Sequence, residues 1–590
     1  MRGAGNRALC ASIVVLLLAG LGAASVLQLR SPEPASADAP AAEFSADRAW
    51  VHLEEIAKAP HPIGSPAHDL LARYLQGELE ALDGTFEVQA AVVPELNGYE
   101  VHNLLIRFPG TDPTGTILFA THYDSVPSGP GVGDAGVSVA ALVETARALT
   151  AGEPLRNDVI VMLTDGEEAG LFGGRAFVDQ HPWAEDVDLV FNFEGRGVSG
   201  TPVIVEMEQP TVDLVSGILD AAPPLVTSPL GRRALPQDYR DRVSDFGEFR
   251  RLDIQGAHFA VVGESLYYHT PLDDLERSSR DTVQHLGETA LGLARHFGGA
   301  DLVSLRKGPD ATWTVAMPGP GVVAPAWIAW PLLLAAVVLA ALIDRRLPKV
   351  QRSKGEVVLG LSIPLLSMIG AAILGVVAVW FVAMTNGDIR RMLDDLPVGD
   401  HRGAGDLVNG HLLMWAIVAL AAASVTAGLE LARRRLGTPL LVGTGMRAWT
   451  IGLVGTTLID PAVGAAFAGP FVAAQAATLL WVSRDPETEL GIGVAGAVAL
   501  LGAPVVMMGA TMTWMGYLGV TLTGAGLLCA GPAVGLGQLL PQLDVVGRVH
   551  RWLPTALFAG VAIVLFAMAA FARQTDADLL HFVKTSSVWG

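Results

Sequence analysis

Residues 116–149 read TILFATHYDSVPSGPGVGDAGVSVAALVETARAL, and this stretch sets the fold class. Its first five residues predict a short buried strand, and residues 137–149 predict an amphipathic helix. His122 follows the strand directly, and Asp134 lies in a tight glycine turn before the helix. Both are candidate metal ligands, although a surface histidine and an ordinary helix N-cap would also explain them.

The same alternation of strand and helix continues along the chain. Residues 159–164 (VIVMLT) and 189–193 (LVFNF) predict two more buried strands, and residues 65–82 predict another helix. Such alternation is typical of α/β proteins, in which helices cover both faces of a mostly parallel, mixed sheet. We therefore predict a three-layer α/β/α domain over residues 44–302.

Further candidate ligands follow these strands. Glu167 and Glu168 come after the strand VIVMLT, Glu194 ends the run NFE, and His269 lies in YYHTPLDD. Two adjacent glutamates cannot face the same way, so one could bind a metal while the other acts as a general base. Asp273, four residues after His269, could orient that imidazole.

Taken together, these residues favour a metal site over separate structural roles. Ligands of open α/β sheets gather at the carboxyl ends of the strands, where most of these side chains are expected. Asp124, two residues after His122, suits a carboxylate that orients the imidazole. Two histidines and three carboxylates favour zinc or a similar borderline metal, and one bridging carboxylate would make two three-ligand sites.

Four segments resemble the motifs of the co-catalytic di-zinc aminopeptidases, in the order of that family: HYDSVPSGPGVGDAG, TDGEEAGLFGGRAF, NFEGRG and YYHTPLDD. The family shares its fold with glutamate carboxypeptidase II and glutaminyl cyclase. The resemblance covers residues 44–302 and implies a zinc-exopeptidase-like domain. With a multi-span tail behind it, the chain is similar to the endoplasmic-reticulum metallopeptidases and the fungal vacuolar membrane proteases.

The resemblance implies two zinc ions bridged by Asp134. His122 and Glu194 would complete one site, and Glu168 and His269 the other. Glu194 departs from the aspartate that soluble members often carry, and the membrane-anchored members resemble this chain in using glutamate.

The resemblance also assigns catalytic roles. Glu167 would be the general base and Asp124 the partner of His122. Tyr268 or Tyr239 could stabilise the oxyanion, although a tyrosine beside a ligand often only packs there.

The composition describes a membrane protein with an acidic soluble domain. The 590 residues are 51% hydrophobic and 17% charged, with a net charge of −20. Most of the acidic excess lies in residues 31–320, which argues against nucleic acid as a partner. Both cysteines, Cys10 and Cys529, lie in apolar runs, so a disulfide framework is excluded.

Residues 1–30 predict a membrane anchor, with a cleaved signal peptide as the alternative. Residues 31–43 and 303–324 are predicted linkers, and residues 572–590 form a C-terminal tail. Residues 325–571 predict an all-α membrane domain of about eight helices, near residues 325–343, 357–384, 411–431, 439–458, 461–482, 490–509, 515–537 and 552–571.

With eight spans, the main basic loops fall on one side of the membrane, which the positive-inside rule makes cytoplasmic. These loops contain Arg345, Arg346, Lys349, Arg352, Lys354, Arg433, Arg434, Arg435, Arg484, Arg548 and Arg551. Arg390, Arg391 and Arg402 fall on the other side and count against this orientation. The α/β domain is then extracytoplasmic, at the plasma membrane if the protein is bacterial.

The sequence therefore predicts an integral membrane, zinc-dependent exopeptidase that acts on peptides, with an aminopeptidase favoured. A carboxypeptidase or a glutaminyl-cyclase-like enzyme could use the same site. A non-catalytic ectodomain and an accessory ectodomain of a transporter are the alternatives from other classes. The lipid bilayer is the second expected partner, and the sequence does not predict an oligomeric state.

Overall fold

The computed structural model describes residues 2–96, 98–231, 237–317, 319, 321–348, 353–386, 410–484, 490–520 and 525–573. These residues separate into two units. The α/β unit spans Leu27–Ile328. The helical unit contains the described residues before Leu27 and those from Ala329 onward.

A seven-stranded mixed sheet forms the centre of the α/β unit, in the order β1-β2-β4-β3-β5-β7-β6. Its strands are β1 (Thr85–Val93), β2 (Tyr99–Phe108), β3 (Thr116–His122), β4 (Asp158–Thr164), β5 (Val187–Gly195), β6 (Val203–Glu208) and β7 (Gln255–Val261). The four central strands β4, β3, β5 and β7 run parallel. Strands β1, β2 and β6 run antiparallel to their neighbours. The predicted mostly parallel, mixed sheet is thus confirmed.

Helices cover both faces of this sheet. They are α2 (Ala46–Ile56), α3 (Pro66–Glu80), α4 (Val137–Thr150), α5 (Phe172–Gln180), α6 (Val212–Ala221), α7 (Gln237–Arg240), α8 (Phe246–Phe249), α9 (Arg280–Gly299) and α10 (Leu302–Leu305). Successive side chains of a strand point to opposite faces. Phe119 therefore packs with α2, α3, α4 and α9, whereas Leu118 packs with α5 and α8. The three-layer prediction is confirmed.

Serine caps fix where two of the covering helices begin. The side chain of Ser45 accepts a hydrogen bond from the amide of Arg48 at the start of α2. Ser65 accepts one from the amide of His68 at the start of α3, where Pro66 occupies the first turn. Each serine satisfies an amide that has no partner within its helix.

Residues 303–324 are not the simple linker that the sequence predicts. They include β8 (Ala311–Thr314) and most of β9 (Val322–Pro325), which pair antiparallel. Trp313 is only 5% exposed within the main core, and its indole Nε1 donates to Thr227 Oγ1 over 3.1 Å. The proline and glycine residues nearby suggested a linker, whereas Trp313 packs the segment into the core of the α/β unit.

The helical unit contains helices at or near every predicted span. Its helices are α1 (Arg2–Leu27, whose last residue belongs to the α/β unit), α11 (Ala329–Arg346), α12 (Lys354–Asn386), α13 (Gly410–Leu436), α14 (Thr438–Ile459), α15 (Pro461–Val482), α16 (Ile492–Val520), α17 (Ala525–Gln538), α18 (Leu540–Gly547) and α19 (Leu553–Arg573). In α1, Cys10 and Val14 are buried in a cluster with Leu490 and Ala495. A retained anchor would make such contacts, and whether the segment is cleaved stays a prediction.

Six helices among the described residues are long and apolar enough to cross a membrane: Ala4–Leu27, Ala326–Arg346, Lys354–Phe381, His411–Leu436, Pro461–Val482 and Ile492–Tyr517. Helix α14, which carries Arg447, is not among them, and α17 has only 14 residues. The apolar helix Leu553–Ala569 is shorter than the six. Eight crossings after the anchor therefore stay a prediction.

We expect a fragment of residues 28–328 to fold by itself, with Trp313 as part of its core. Trp313→Ala should lower the free energy of unfolding by roughly 3–5 kcal/mol, the usual cost of truncating a buried aromatic side chain. Trp327→Ala is the matched control, because Trp327 is 61% exposed and should change stability by less than about 0.5 kcal/mol. Urea unfolding followed by circular dichroism measures both, and equal losses would contradict the core position of Trp313.

Candidate metal centre

The parallel strands deliver the predicted ligands to one edge of the sheet. His122 is the last residue of β3, and Glu194 is the penultimate residue of β5. Glu168 lies in the loop after β4, and His269 lies in the loop after β7. Because these four strands run in the same direction, their carboxyl ends and the loops that follow them meet.

Two groups of ligand atoms form at this edge and share Asp134. In the first, His122 Nε2 lies 3.3 Å from Asp134 Oδ1 and 3.1 Å from Glu194 Oε2. In the second, His269 Nε2 lies 3.0 Å from Asp134 Oδ2 and 3.2 Å from Glu168 Oε1. Within each group, the donor atoms of the three residues lie within 4.8 Å of one another. All five predicted ligands are therefore brought together, with a different oxygen of Asp134 facing each histidine.

Two glycines allow Asp134 to approach the end of β5. A Cβ atom on Gly195 would lie 1.7 Å from the carbonyl oxygen of Gly133, and one on Gly133 would lie 2.3 Å from the carbonyl oxygen of Gly197. No larger residue fits at either position without moving the backbone. The turn Val132–Gly136 that carries Asp134 therefore packs directly against the end of β5.

Asp273 holds this turn from the other side. Its carboxylate accepts hydrogen bonds from the amide of Gly133 over 2.6 Å and from the amide of Asp134 over 3.3 Å. Asp273 is 2% exposed. The sequence suggests that Asp273 orients His269, but the described hydrogen bonds place it on the backbone of the Asp134 turn instead.

The carboxylate of Asp124 also acts mainly on backbone. Its two oxygens accept hydrogen bonds from the amides of Glu167 and Glu168, over 3.0 and 3.2 Å. His122 Nδ1 lies 3.0 Å from the backbone carbonyl oxygen of Asp124 and 3.6 Å from its carboxylate. Asp124 thus lies next to His122 and in addition fixes the loop that carries both glutamates, and its role in orienting that imidazole stays a prediction.

Burial and mutual repulsion perturb the carboxyl groups of the centre. Burial, reinforced by the charge of Asp134, raises the pKa of Glu168 to about 8. Burial also raises the pKa of Glu167 well above its usual range, and the charges of Glu194 and Glu168 add to this. Burial alone would lower the pKa of His269, but the neighbouring carboxylates of Asp134 and Glu168 raise it to about 10.

The donor set fits divalent cations. Glu168 Oε1 is buried and makes no hydrogen bond of good geometry among the described residues, although His269 lies at ion-pair distance. A buried carboxylate oxygen without such a partner is costly, and a cation at this position would satisfy it. Two imidazoles and three carboxylates are the ligand types that zinc takes, and a cation would also offset the crowded negative charge.

Among the remaining predicted catalytic residues, the structure describes the side chains of Glu167 and Tyr268 but not that of Tyr239. Glu167 is outside both ligand groups, but it precedes the proposed ligand Glu168 in the chain, and its amide donates a hydrogen bond to Asp124. The ring of Tyr268 stacks on His269 with centroids 3.7 Å apart. Burial raises the pKa of Tyr268 well above its usual range, with the charge of Asp134 adding to it. The side chain of Tyr239 lies outside the described residues.

Sequence reasoning missed two polar residues close to the centre. Asp245 is fully buried, and its Oδ2 accepts a hydrogen bond from Thr164 Oγ1 at the end of β4. The guanidinium of Arg196 lies 5.8 Å from the ring centroid of Tyr268. Arg196 is part of the motif NFEGRG, and this position beside Glu194 was a usable signal for it. Asp245 does not follow a strand, and its sequence context gave no signal of a functional role.

Residues 103–294 match the model of Peptidase family M28. This range contains all five ligand residues as well as Asp124 and Glu167, so the chain carries a Peptidase M28 domain. The match covers neither the described helices of the helical unit nor the first strand of the sheet.

Curated relatives are vacuolar membrane proteases and endoplasmic-reticulum metallopeptidases. A vacuolar membrane protease of Candida albicans (strain WO-1) is 30% identical over 258 residues, covering 42% of this chain and 30% of that protein. Endoplasmic reticulum metallopeptidase 1 of Mus musculus is 25% identical over 284 residues, covering 44% of this chain and 32% of that protein. The chain thus spans about a third of the length of these relatives.

Solved structures with a similar fold include a zinc aminopeptidase from Bacillus subtilis. It is 14% identical, with a TM-score of 0.35, and the alignment covers 43% of this chain and 95% of that one. A glutaminyl cyclase from Porphyromonas gingivalis is 17% identical, with a TM-score of 0.35, over 42% of this chain and 97% of that one.

We expect the fragment 28–328 to bind two zinc ions, and the substitution of single ligands to separate them. Asp134→Asn should lower both affinities, because Asp134 belongs to both groups, whereas Glu168→Gln should weaken only one. Glu167→Gln is the matched control next to Glu168 and should keep both ions. Zinc titration by calorimetry, with metal analysis after dialysis, gives the stoichiometry of each variant. Equal metal loss in Glu167→Gln and Glu168→Gln would mean that their roles are misassigned.

Proposed function

We propose that this protein is a membrane-anchored, zinc-dependent exopeptidase, and that it removes single residues from the N-terminus of peptides. The observation that carries the proposal is the pair of ligand groups sharing Asp134, with Glu167 next to Glu168 in the chain and held through its amide by Asp124. The match of residues 103–294 to Peptidase family M28 supports peptide hydrolysis. The names of the curated relatives, which are membrane proteases and metallopeptidases, support the membrane setting.

Two zinc ions would be held by the two groups, with Asp134 bridging them. Zinc supplies Lewis acidity when bound, which polarises a carbonyl group and makes water more acidic. The protein itself preorganises the five donor groups for metal binding. Hydrogen bonds from Gly133 and Asp134 to Asp273 do this for the shared carboxylate.

Glu167 is the proposed general base. Its carboxyl group would accept a proton from the attacking water and later give that proton to the departing amine. Burial raises the pKa of Glu167, which favours its uptake of the proton from water. Asp124 would keep Glu167 in position, since it accepts a hydrogen bond from the amide of Glu167.

Tyr268 is the described candidate for stabilising the oxyanion. It stacks on the proposed ligand His269, and the guanidinium of Arg196 lies near its ring. A phenol that stays protonated through burial can donate a hydrogen bond to a developing negative charge. Tyr239 stays a second candidate from the sequence.

We also propose that the α/β unit faces away from the cytoplasm. The basic residues at the ends of α11 and α13 support this orientation, because such residues concentrate on the cytoplasmic side of membranes. The N-terminal helix α1, which carries Arg2 and Arg7 in its first two turns, supports the same orientation.

An aminopeptidase requires a free amino group at the N-terminus of its substrate. Purified full-length protein in detergent should release the first residue of peptides with a free amino group, and N-acetylated versions of the same peptides should stay intact. Chelation should abolish the activity and zinc should restore it. Glu167→Gln should lower kcat by about 10²–10⁴-fold, the usual contribution of a general base, while metal content stays unchanged.

Mass spectrometry of the products separates this proposal from its competitors. Release of C-terminal residues from the N-acetylated peptides would indicate a carboxypeptidase. Loss of ammonia from N-terminal glutamine without chain cleavage would indicate a cyclase. No reaction with any peptide, at full zinc content, would contradict an enzymatic role for the centre.

Orientation can be tested with single cysteines in a background without Cys10 and Cys529. Glu153→Cys lies on the exposed surface of the α/β unit, and Pro348→Cys lies just after α11. A membrane-impermeant maleimide should label Glu153→Cys in intact cells and Pro348→Cys only after permeabilisation. The reverse labelling would place the proposed peptidase domain in the cytoplasm.

A further inference from the structure

A half-open cavity lies among the helices of the helical unit, far in sequence from the metal centre. Its volume is about 560 Å³, counting the solvent at its mouth. It is lined by Thr426, Leu429, Glu430, Arg433, Thr438, Leu441, Val442, Trp481, Leu540, Leu543, Asp544, Gly547, Arg551, Pro554 and Thr555. These residues come from α13, α14, α15 and α18 and from the start of α19.

One part of the cavity wall is apolar. Leu441 and Val442 of α14 are buried there, and Leu540 and Leu543 of α18 add further aliphatic surface. Trp481 of α15 lines the same space. An apolar wall of this kind suits a hydrocarbon group better than a small soluble ion.

The other part of the wall is charged. Glu430 Oε2 and Oε1 accept hydrogen bonds from Arg433 Nε and Nη2 over 2.6 and 2.7 Å, and Arg434 Nε donates to Oε1 over 3.1 Å. Asp544 accepts hydrogen bonds from Arg551 Nη1 over 2.8 Å and from Arg548 Nε over 3.1 Å.

The positive groups outnumber the negative ones in this cluster. Four guanidinium groups face two carboxylates, which leaves two positive charges. One arginine for each carboxylate would suffice for ion pairing. Arg433 and Arg551 both line the cavity, and their side chains are 27% and 44% exposed. The cavity lining itself pairs two arginines with two carboxylates, and the further guanidinium groups of Arg434 and Arg548 lie beside it and make its surroundings positive.

The position of the cluster along its helices indicates the membrane surface. Arg433 and Arg434 are at the end of α13, and Arg551 lies two residues before the start of α19. The guanidinium of Arg434 lies 5.1 Å from the ring centroid of Trp552. Arginine and tryptophan residues concentrate at the depth of the lipid headgroups. The sequence places these arginines on the cytoplasmic side.

We propose that this cavity binds the phosphate headgroup of an anionic phospholipid, with Arg433 and Arg551 at the phosphate and an acyl chain along Leu441, Val442 and Leu540. Guanidinium groups pair well with phosphate oxygens, and basic pockets between membrane helices are suited to anionic headgroups. The apolar wall favours a lipid over free phosphate. This site is independent of the metal centre and of the proposed peptidase activity.

The test measures the melting temperature of full-length protein in detergent while phosphatidylglycerol, phosphatidylcholine or inorganic phosphate is added. Phosphatidylglycerol should raise the melting temperature at concentrations at least tenfold lower than phosphatidylcholine, and inorganic phosphate should have no effect at the same concentrations. Native mass spectrometry should detect phosphatidylglycerol retained on the protein. Equal effects of the two lipids would overturn the proposal, and an equal effect of inorganic phosphate would assign the site to a soluble anion instead.

Substitutions of the cavity residues test whether phosphatidylglycerol binds at this site. Arg433→Gln and Arg551→Gln should each weaken phosphatidylglycerol binding by roughly fivefold, the effect of one basic residue near an anionic lipid surface. Arg345→Gln with Arg346→Gln is the matched control, because these exposed arginines end α11 and do not line the cavity. Leu441→Trp keeps every charge and fills the apolar part of the cavity, so it should also weaken phosphatidylglycerol binding. This variant keeps the test valid if the arginine variants fold poorly. Unchanged binding in the cavity variants, or an equal loss in the control, would overturn the assignment.

Discussion

The proposed metal centre of the α/β unit depends on one constraint. A single carboxylate must face two histidines, one at the end of β3 and one in the loop after β7. The two oxygens of Asp134 lie 3.3 Å from His122 Nε2 and 3.0 Å from His269 Nε2. This is possible because Gly133 and Gly195 let the turn touch the end of β5, and because Asp273 holds the turn by its backbone amides. The parallel order of the central strands then brings the remaining ligands to the same edge.

The crowding of carboxylates at this edge opposes folding unless positive charge is present. Burial raises the pKa of Glu168 to about 8 and that of Asp273 to about 7, so ionising these groups inside the protein costs free energy. Cations bound only by the folded state would offset that cost, and their binding free energy would add to the stability of the unit. The same crowding raises the pKa of Glu167, which makes it a stronger proton acceptor for the proposed reaction.

The sequence predicted the fold class and all five proposed ligands because these features follow local rules: buried strands alternate with helices, and ligands follow the strand ends. It did not predict contacts between distant segments. The hydrogen bonds of Asp124 to Glu167 and Glu168, and those of Asp273 to the Asp134 turn, depend on tertiary packing. Trp313 lies among proline and glycine residues that suggested a linker. Its burial in the core and the pairing of β8 with β9 become visible only in the structure. Hydropathy alone could not decide whether α14 crosses the membrane, because Arg447 interrupts it.

In the proposed centre, two metal ions share Asp134. A crystal structure of the fragment 28–328 grown with zinc, with diffraction recorded at the zinc absorption edge, tests that claim most directly. We predict two anomalous peaks about 3.5–4 Å apart, each about 2.0–2.2 Å from a different oxygen of Asp134. One peak, or two peaks of which only one contacts Asp134, would contradict the shared carboxylate and with it the proposed dinuclear centre.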